Sequence, residues 1–161
     1  MNTVATLFQM RRLFTHLPDN KMMCGNPHET DDIPHTLGVA GGFGCLSENM
    51  ATYYNFEVDD NNGETEYVLH FRDVPVNAFW SITVYDEEGF FLEDVDTVAL
   101  NIYTALPNPD GSYTINFSND LTKINNINIE KDWNYCVRLY EPQQDIIDGT
   151  WTFPPAQVIS A

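Results

Sequence analysis

Basic residues are scarce in this chain. Only 7 of its 161 residues are Lys or Arg, against 24 Asp or Glu, which leaves a formal net charge of −17. A field of that sign repels phosphate backbones and anionic headgroups, so no nucleic acid and no membrane surface is expected as a partner. Cations, sugars and neutral small molecules stay open, and the acidity also suits a surface kept soluble in salt. Cysteine is nearly absent too. Cys24, Cys45 and Cys136 fit no metal or redox spacing, and their odd number argues against a complete disulfide framework. Reduced or merely structural thiols are the expectation. No apolar run approaches the roughly 18–20 residues that cross a bilayer. The basic pair Arg11–Arg12 follows the first apolar patch, the reverse of a secretory signal, so the cytoplasm is the default location. Neither Ser47 nor Ser81 lies in a G-x-S-x-G elbow. The glycine-rich VAGGFG at residues 39–44 lacks the Lys-Ser/Thr of a phosphate loop and the spacing of a dinucleotide fingerprint. No cofactor is called for.

What the chain has is aromatic and β-branched residues in alternation. In NAFWSITVYDEEG, residues 77–89, Trp80, Ile82 and Val84 fall on one side of an extended chain while Phe79, Ser81, Thr83 and Tyr85 fall on the other. This stretch predicts a central strand closed by an acidic turn. Similar strands are expected at 55–58, 67–72, 99–103, 113–117, 135–140 and 158–159. Asn62-Gly63 is read as a hairpin between the first two, and Asn108-Pro109-Asp110-Gly111 as a tight turn. Spacings of about 8–12 residues with Gly, Pro and Asn turns indicate an antiparallel sandwich or barrel. Residues 1–17 carry Leu7, Met10, Phe14 and Leu17 at helical spacing, and Ser47 is positioned to cap a short helix through Tyr53 or Tyr54. The organisation expected is a helix and polar loop over 1–35, then a single β domain over 36–161.

Three groups of residues are candidates for chemistry. His28, Asp31 and His35, with Glu29 and Asp32, crowd one loop and could offer metal ligands, although their spacing matches no established site and a solvated loop explains them. Asp59–Glu64 resembles a Ca²⁺ loop only in passing. Arg138 lies within a strand, where a buried charge needs a partner. It either pairs with Asp86 or Asp148 or faces a cleft, holding an anionic or carbonyl group through its planar fork. Trp80, Tyr85, Tyr140 and Trp151 either stack a ligand in such a cleft or fill the core. The function classes that follow are a binding module for a small or carbohydrate-like molecule, an enzyme using Asp86 or Asp148 with Arg138, and an acidic accessory protein. Candidate partners are that ligand and a second copy of the chain.

Several of these blocks carry a family resemblance. Tyr67–Phe71 reads Tyr-x-Leu-x-Phe, and residues 75–86 read Pro-Val-x-x-Phe-Trp-Ser-x-Thr-x-Tyr-Asp. Asp110-Gly111-Ser112 follows, then Arg138-x-Tyr140-x-Pro142, then Ile147-Asp148-Gly149-Thr150-Trp151-x-x-Pro154. Together they resemble the uncharacterised family named domain of unknown function 1214, whose members are often fused to a companion named 1254. The likeness covers about residues 36–159. It implies a jelly-roll-like β-sandwich and no established activity. One departure stands out. Relatives carry Asn-Trp-Leu-Pro on a loop before the Arg-bearing strand; here that stretch is shortened, lacks Leu-Pro, and sets Trp133 beside the strand.

Overall fold

Alternation of side chains along extended segments builds two four-stranded sheets about one apolar core. The computed structural model describes residues 6, 17, 19–41, 44 and 46–159; the helix expected over 1–17 falls almost wholly outside them. In chain order the strands are β1 (Ala51–Phe56), β2 (Tyr67–Phe71), β3 (Trp80–Tyr85), β4 (Ala99–Asn101), β5 (Tyr113–Phe117), β6 (Asn126–Ile127), β7 (Asn134–Tyr140) and β8 (Gln157–Val158). Alongside them lie the helices α1 (Asp32–Gly41) and the one-turn α2 (Gln144–Ile147). One sheet runs β1-β7-β3-β4 and the other β6-β5-β2-β8. All pairs are antiparallel except β5 with β6.

The period of two decides what each strand buries. Trp80, Ile82 and Val84 of β3 and Tyr135, Val137 and Leu139 of β7 point inward from the first sheet. Tyr67, Leu69 and Phe71 of β2 with Ile115 and Phe117 of β5 meet them from the second. Each is no more than 6% exposed. Aromatic contacts bind the layers: Phe71 packs edge-on against Trp80 at 4.9 Å, and Phe117 lies 4.9 Å from Tyr135.

Four expectations change. First, Ser47 starts a single turn, with Met50 and Ala51 donating to its carbonyl at 2.8 and 3.0 Å, and the chain then extends as β1. ATYYNF is dense in β-branched and aromatic side chains, and these favour a pleated, half-buried surface over a helix lacking a capping box. Second, Asn62-Gly63 is not a hairpin. β1 pairs with β7 and β2 with β5, so the turn carries the chain from one sheet to the other. Gly63 is needed there for two reasons. Its φ is +81°, and a Cβ would sit 2.7 Å from the Lys131 nitrogen and 2.8 Å from the Glu130 carbonyl carbon. Third, α1 forms at 32–41, across the boundary expected between the polar loop and the β domain. Pro34 lies in its first turn, where the missing N–H costs nothing. Gly38 lets the helix approach Met23, whose Cβ would be 3.1 Å from an added methyl. Fourth, Cys24 is disulfide-bonded rather than reduced. Cys136 is a free, buried cysteine.

The N-terminal approach to β1 is held by Asn20, which is 1% exposed. Its Nδ2 donates to the carbonyls of Ala51 (2.9 Å) and Leu46 (3.3 Å), and its Oδ1 accepts the Tyr53 N–H at 2.9 Å. Asp19 bridges to Tyr54, and Asn55 Nδ2 donates to the Leu17 carbonyl at 2.8 Å. No helix among the described residues is long and apolar enough to cross a membrane.

Candidate functional site

The same alternation that buries Trp80, Ile82 and Val84 sends Ser81, Thr83 and Tyr85 to the outer face of the four-stranded sheet. On the neighbouring strand β7 the outward set is Asn134, Cys136, Arg138 and Tyr140. Register places Arg138 opposite Ser81 on one side and Tyr53 on the other, at the centre of the sheet. From there its guanidinium leans along the face. Nη1 donates to Thr83 Oγ1 at 3.2 Å, and Nη2 donates to the Tyr85 hydroxyl at 2.5 Å. Its Cζ lies 5.6 Å from the Tyr85 ring centroid and 5.8 Å from that of Tyr53, distances at which a cation is attracted to an aromatic face.

No carboxylate pairs with Arg138 among the described residues. Of the other described cations, Arg72 pairs with Asp73, Lys123 with Glu66 and Lys131 with Asp132, while the exposed Lys21 has no ion pair among the described residues. Of the two described arginines, the more buried is thus the one without a counter-charge among the described residues, in a protein with 24 acidic residues. Burial works against its charge, yet the guanidinium is held above its ordinary range, by Cys136, Tyr85 and Tyr140 where these ionise at high pH and by its hydrogen bond to the Tyr85 hydroxyl. Burial raises the Tyr85 hydroxyl above its ordinary value, opposed by the Arg138 charge. The same cause raises Tyr53, opposed by the Leu46 N–H that its oxygen accepts at 3.3 Å. Both phenols stay neutral at physiological pH. Each accepts a hydrogen bond and so keeps its own O–H to donate. Burial likewise keeps the Cys136 thiol protonated. The face therefore offers one fixed positive charge, two phenolic donors and a ring-lined border. Such a set is able to hydrogen-bond an oxygen-rich group.

Aromatic rings extend the face in both directions. Phe91 stacks on Tyr85 (5.4 Å, 18°) and is 60% exposed. Tyr140 stacks on Phe79 (4.2 Å, 19°), which in turn meets Tyr103 at 5.9 Å; Tyr103 is 77% exposed.

Of the residues singled out in the sequence, this face brings together Tyr85, Arg138 and Tyr140. Trp80 is on the opposite side of the same sheet, 1% exposed, and belongs to the core. Trp151 packs edge-on against Phe153 at 5.9 Å, at the margin of that core. Asp86 is spent on the turn after β3, its Oδ1 accepting the N–H groups of Glu88 (2.9 Å) and Phe90 (2.8 Å). Asp148 is exposed and accepts the Thr150 N–H and hydroxyl at 3.0 and 2.8 Å. Neither acid is beside Arg138, so the pairing expected for it is replaced by hydroxyls and rings. His28, Asp31 and His35 do not converge. His35 Nδ1 lies 2.7 Å from the Met23 carbonyl, while Glu29 holds Asn26, and no group of three or more metal-ligating side chains occurs among the described residues. Tyr53, Thr83 and Phe91 were not singled out. For Tyr53 and Thr83, parity on the strands beside Arg138 would have pointed to them.

Trp133, displaced relative to the family pattern, is fully buried. It stacks on Phe117 at 5.1 Å and meets Tyr67 edge-on at 5.8 Å, and its indole N–H finds no partner among the described residues. It is a core residue here, not part of a closing loop.

Comparison with known proteins fits this description. The chain superposes on the VPA0106 protein of Vibrio parahaemolyticus with a TM-score of 0.70 and 20% identity, over 98% of this chain and 43% of that one. An uncharacterised protein from Burkholderia cenocepacia gives 0.55 and 17%, over 78% and 33%. At these identities the likeness concerns the fold alone, and the chain spans less than half the length of either protein. Comparison with curated proteins gives no match. Residues 50–144, from the turn before β1 through β7 into α2, match the family described as Protein of unknown function (DUF1214), and this chain belongs to that family.

Proposed function

We propose that the chain is a small-molecule-binding module whose ligand lies on the outer face of the four-stranded sheet, within a jelly-roll-like β-sandwich. Arg138 supplies the charge, Tyr53 and Tyr85 the donors, and Tyr140 with Phe79 and Tyr103 a stacking surface suited to a sugar-like or flat molecule. The single observation behind this reading is Arg138: a partly buried guanidinium held by two hydroxyls and two rings, with no acid beside it among the described residues. Structural arginines set into a sheet face are ordinarily matched by a carboxylate. An enzyme built on Asp86 or Asp148 receives less support, since both carboxylates are occupied in their own turns. The disulfide at Cys24 favours an oxidising compartment over the cytoplasm.

A thermal-shift screen over sugars, organic acids, lipids and divalent cations tests the reading. A ligand present at about a hundred times its Kd adds about 2.7 kcal/mol to the folded state. We expect at least one sugar or organic acid to raise the melting temperature saturably, and Arg138→Gln to abolish the rise. A panel in which nothing stabilises the protein would sink the proposal.

A further inference from the structure

We infer that the ligand of this face is a small monocarboxylate with an apolar body, its carboxylate taken by Arg138 and its body by the rings of Tyr53, Tyr85 and Phe91. This rests on the binding reading above and names the ligand class. The argument starts from charge. Arg138 brings one positive charge to the face, with no acidic side chain paired to it among the described residues. One carboxylate cancels it. A phosphate or sulfate dianion would leave a surplus negative charge inside the field of a protein already at −17. A neutral alcohol or sugar would leave the guanidinium uncompensated while displacing its water.

Donor geometry agrees. A guanidinium has five N–H groups, and two are used, by Thr83 and Tyr85. The remaining three can present the parallel pair that a carboxylate accepts in bidentate fashion. Tyr85 accepts from Nη2 and so turns its own hydrogen away from the guanidinium, where it can donate to a carboxylate oxygen. The border is apolar and aromatic. Tyr53 and Tyr85 flank the guanidinium at 5.8 and 5.6 Å, and Phe91, stacked behind Tyr85, is 60% exposed. Rings around a charged centre suit a molecule with one anionic end and an apolar remainder. They do not suit an inorganic ion, which gains nothing from them.

The test is an NMR titration of the ¹⁵N-labelled full chain, paired with calorimetry. The probes are acetate, hexanoate and 3-phenylpropionate, set against 3-phenylpropan-1-ol and inorganic phosphate. We expect 3-phenylpropionate or hexanoate to bind saturably and shift the amides of Tyr53, Thr83, Tyr85 and Arg138. Acetate should bind more weakly, and the alcohol and phosphate at least about tenfold more weakly, the usual worth of a charge-assisted hydrogen bond. Arg138→Gln should remove the preference for the acid over the alcohol, and Phe91→Ala should weaken hexanoate and 3-phenylpropionate but not acetate. Should the Gln variant fail to fold, Arg138→Lys keeps the charge but loses the fork, and about a tenfold loss is expected of it. Equal or tighter binding of the alcohol or phosphate at these amides overturns the monocarboxylate class while leaving a binding face in place. If no carboxylate shifts them, this inference fails; if the thermal-shift panel is silent as well, the binding reading fails with it.

Discussion

The inner and outer faces of the four-stranded sheet are made by the same strands and share every backbone hydrogen bond, yet they do opposite things. Inward, β3 and β7 present Trp80, Ile82, Val84, Tyr135, Val137 and Leu139, all apolar apart from one phenol, whose oxygen accepts the Ala156 N–H at 2.8 Å. Outward, the alternate residues of these two strands are Ser81, Thr83, Tyr85, Asn134, Cys136, Arg138 and Tyr140, with Tyr53 contributed by β1. The ladder is common to both, so it cannot account for the difference. Side-chain parity does. The inner face holds the sheets together, while the outer face carries a charge with no acidic partner among the described residues.

Substitutions can break or sharpen this contrast. The largest effect is expected inside: Trp80→Ala should cost about 3–5 kcal/mol in urea unfolding, the transfer and cavity loss of a buried tryptophan. A loss below about 1 kcal/mol would mean that the inner face is not the packing face. A much smaller effect is expected directly across the sheet. Arg138→Leu removes a desolvated charge and two hydrogen bonds at once, and should change stability by no more than about 1 kcal/mol in either direction. A loss as large as that of Trp80→Ala would make Arg138 a structural pillar and remove the distinction. Asp148, which belongs to neither face, sets the floor. Its carboxyl is held below its ordinary value of 3.8 by the Thr150 hydroxyl and N–H. A group with a lowered folded value stabilises above its unfolded value, and that contribution fades as pH falls through the folded one. Asp148→Asn should therefore lower the melting temperature slightly at neutral pH, with the gap closing as pH falls through the carboxyl's lowered folded value. A gap that persists or widens in acid contradicts the assignment.

Much of this contrast was legible from residue order. The period of two set Trp80, Ile82 and Val84 on one side of the strand and Phe79, Ser81, Thr83 and Tyr85 on the other, without deciding which side is buried. Mainly β architecture in antiparallel-dominated sheets followed from the strand spacing. The losses have physical causes. Tyr53 escaped because one turn at Ser47 has the same local chemistry as the first turn of a helix, and only the pairing of β1 with β7 decides between them. Asn62-Gly63 carries a hairpin signal, yet it connects two sheets, because its left-handed glycine is required by the backbone at Glu130 and Lys131, far away in sequence. Asp86 and Asp148 looked available as acids because a sequence does not show that an aspartate is already bonded to the turn it begins. Trp80 and Trp151 looked like a cleft because aromatic content does not reveal which side of a sheet it faces.

The Asn20 contacts bear on how copies of this protein could associate. β1 is the last strand of its sheet, and a last strand normally exposes a row of unsatisfied donors and acceptors on which another chain can grow. Here a single carboxamide takes the Ala51 carbonyl and the Tyr53 N–H, and Asp19 bridges Tyr54 beside it. The flank nearest Arg138 is thus already templated by the protein's own chain. Strand-to-strand polymerisation through β1 would first have to displace it. Self-association, where it occurs, is left to the opposite edges or to the faces.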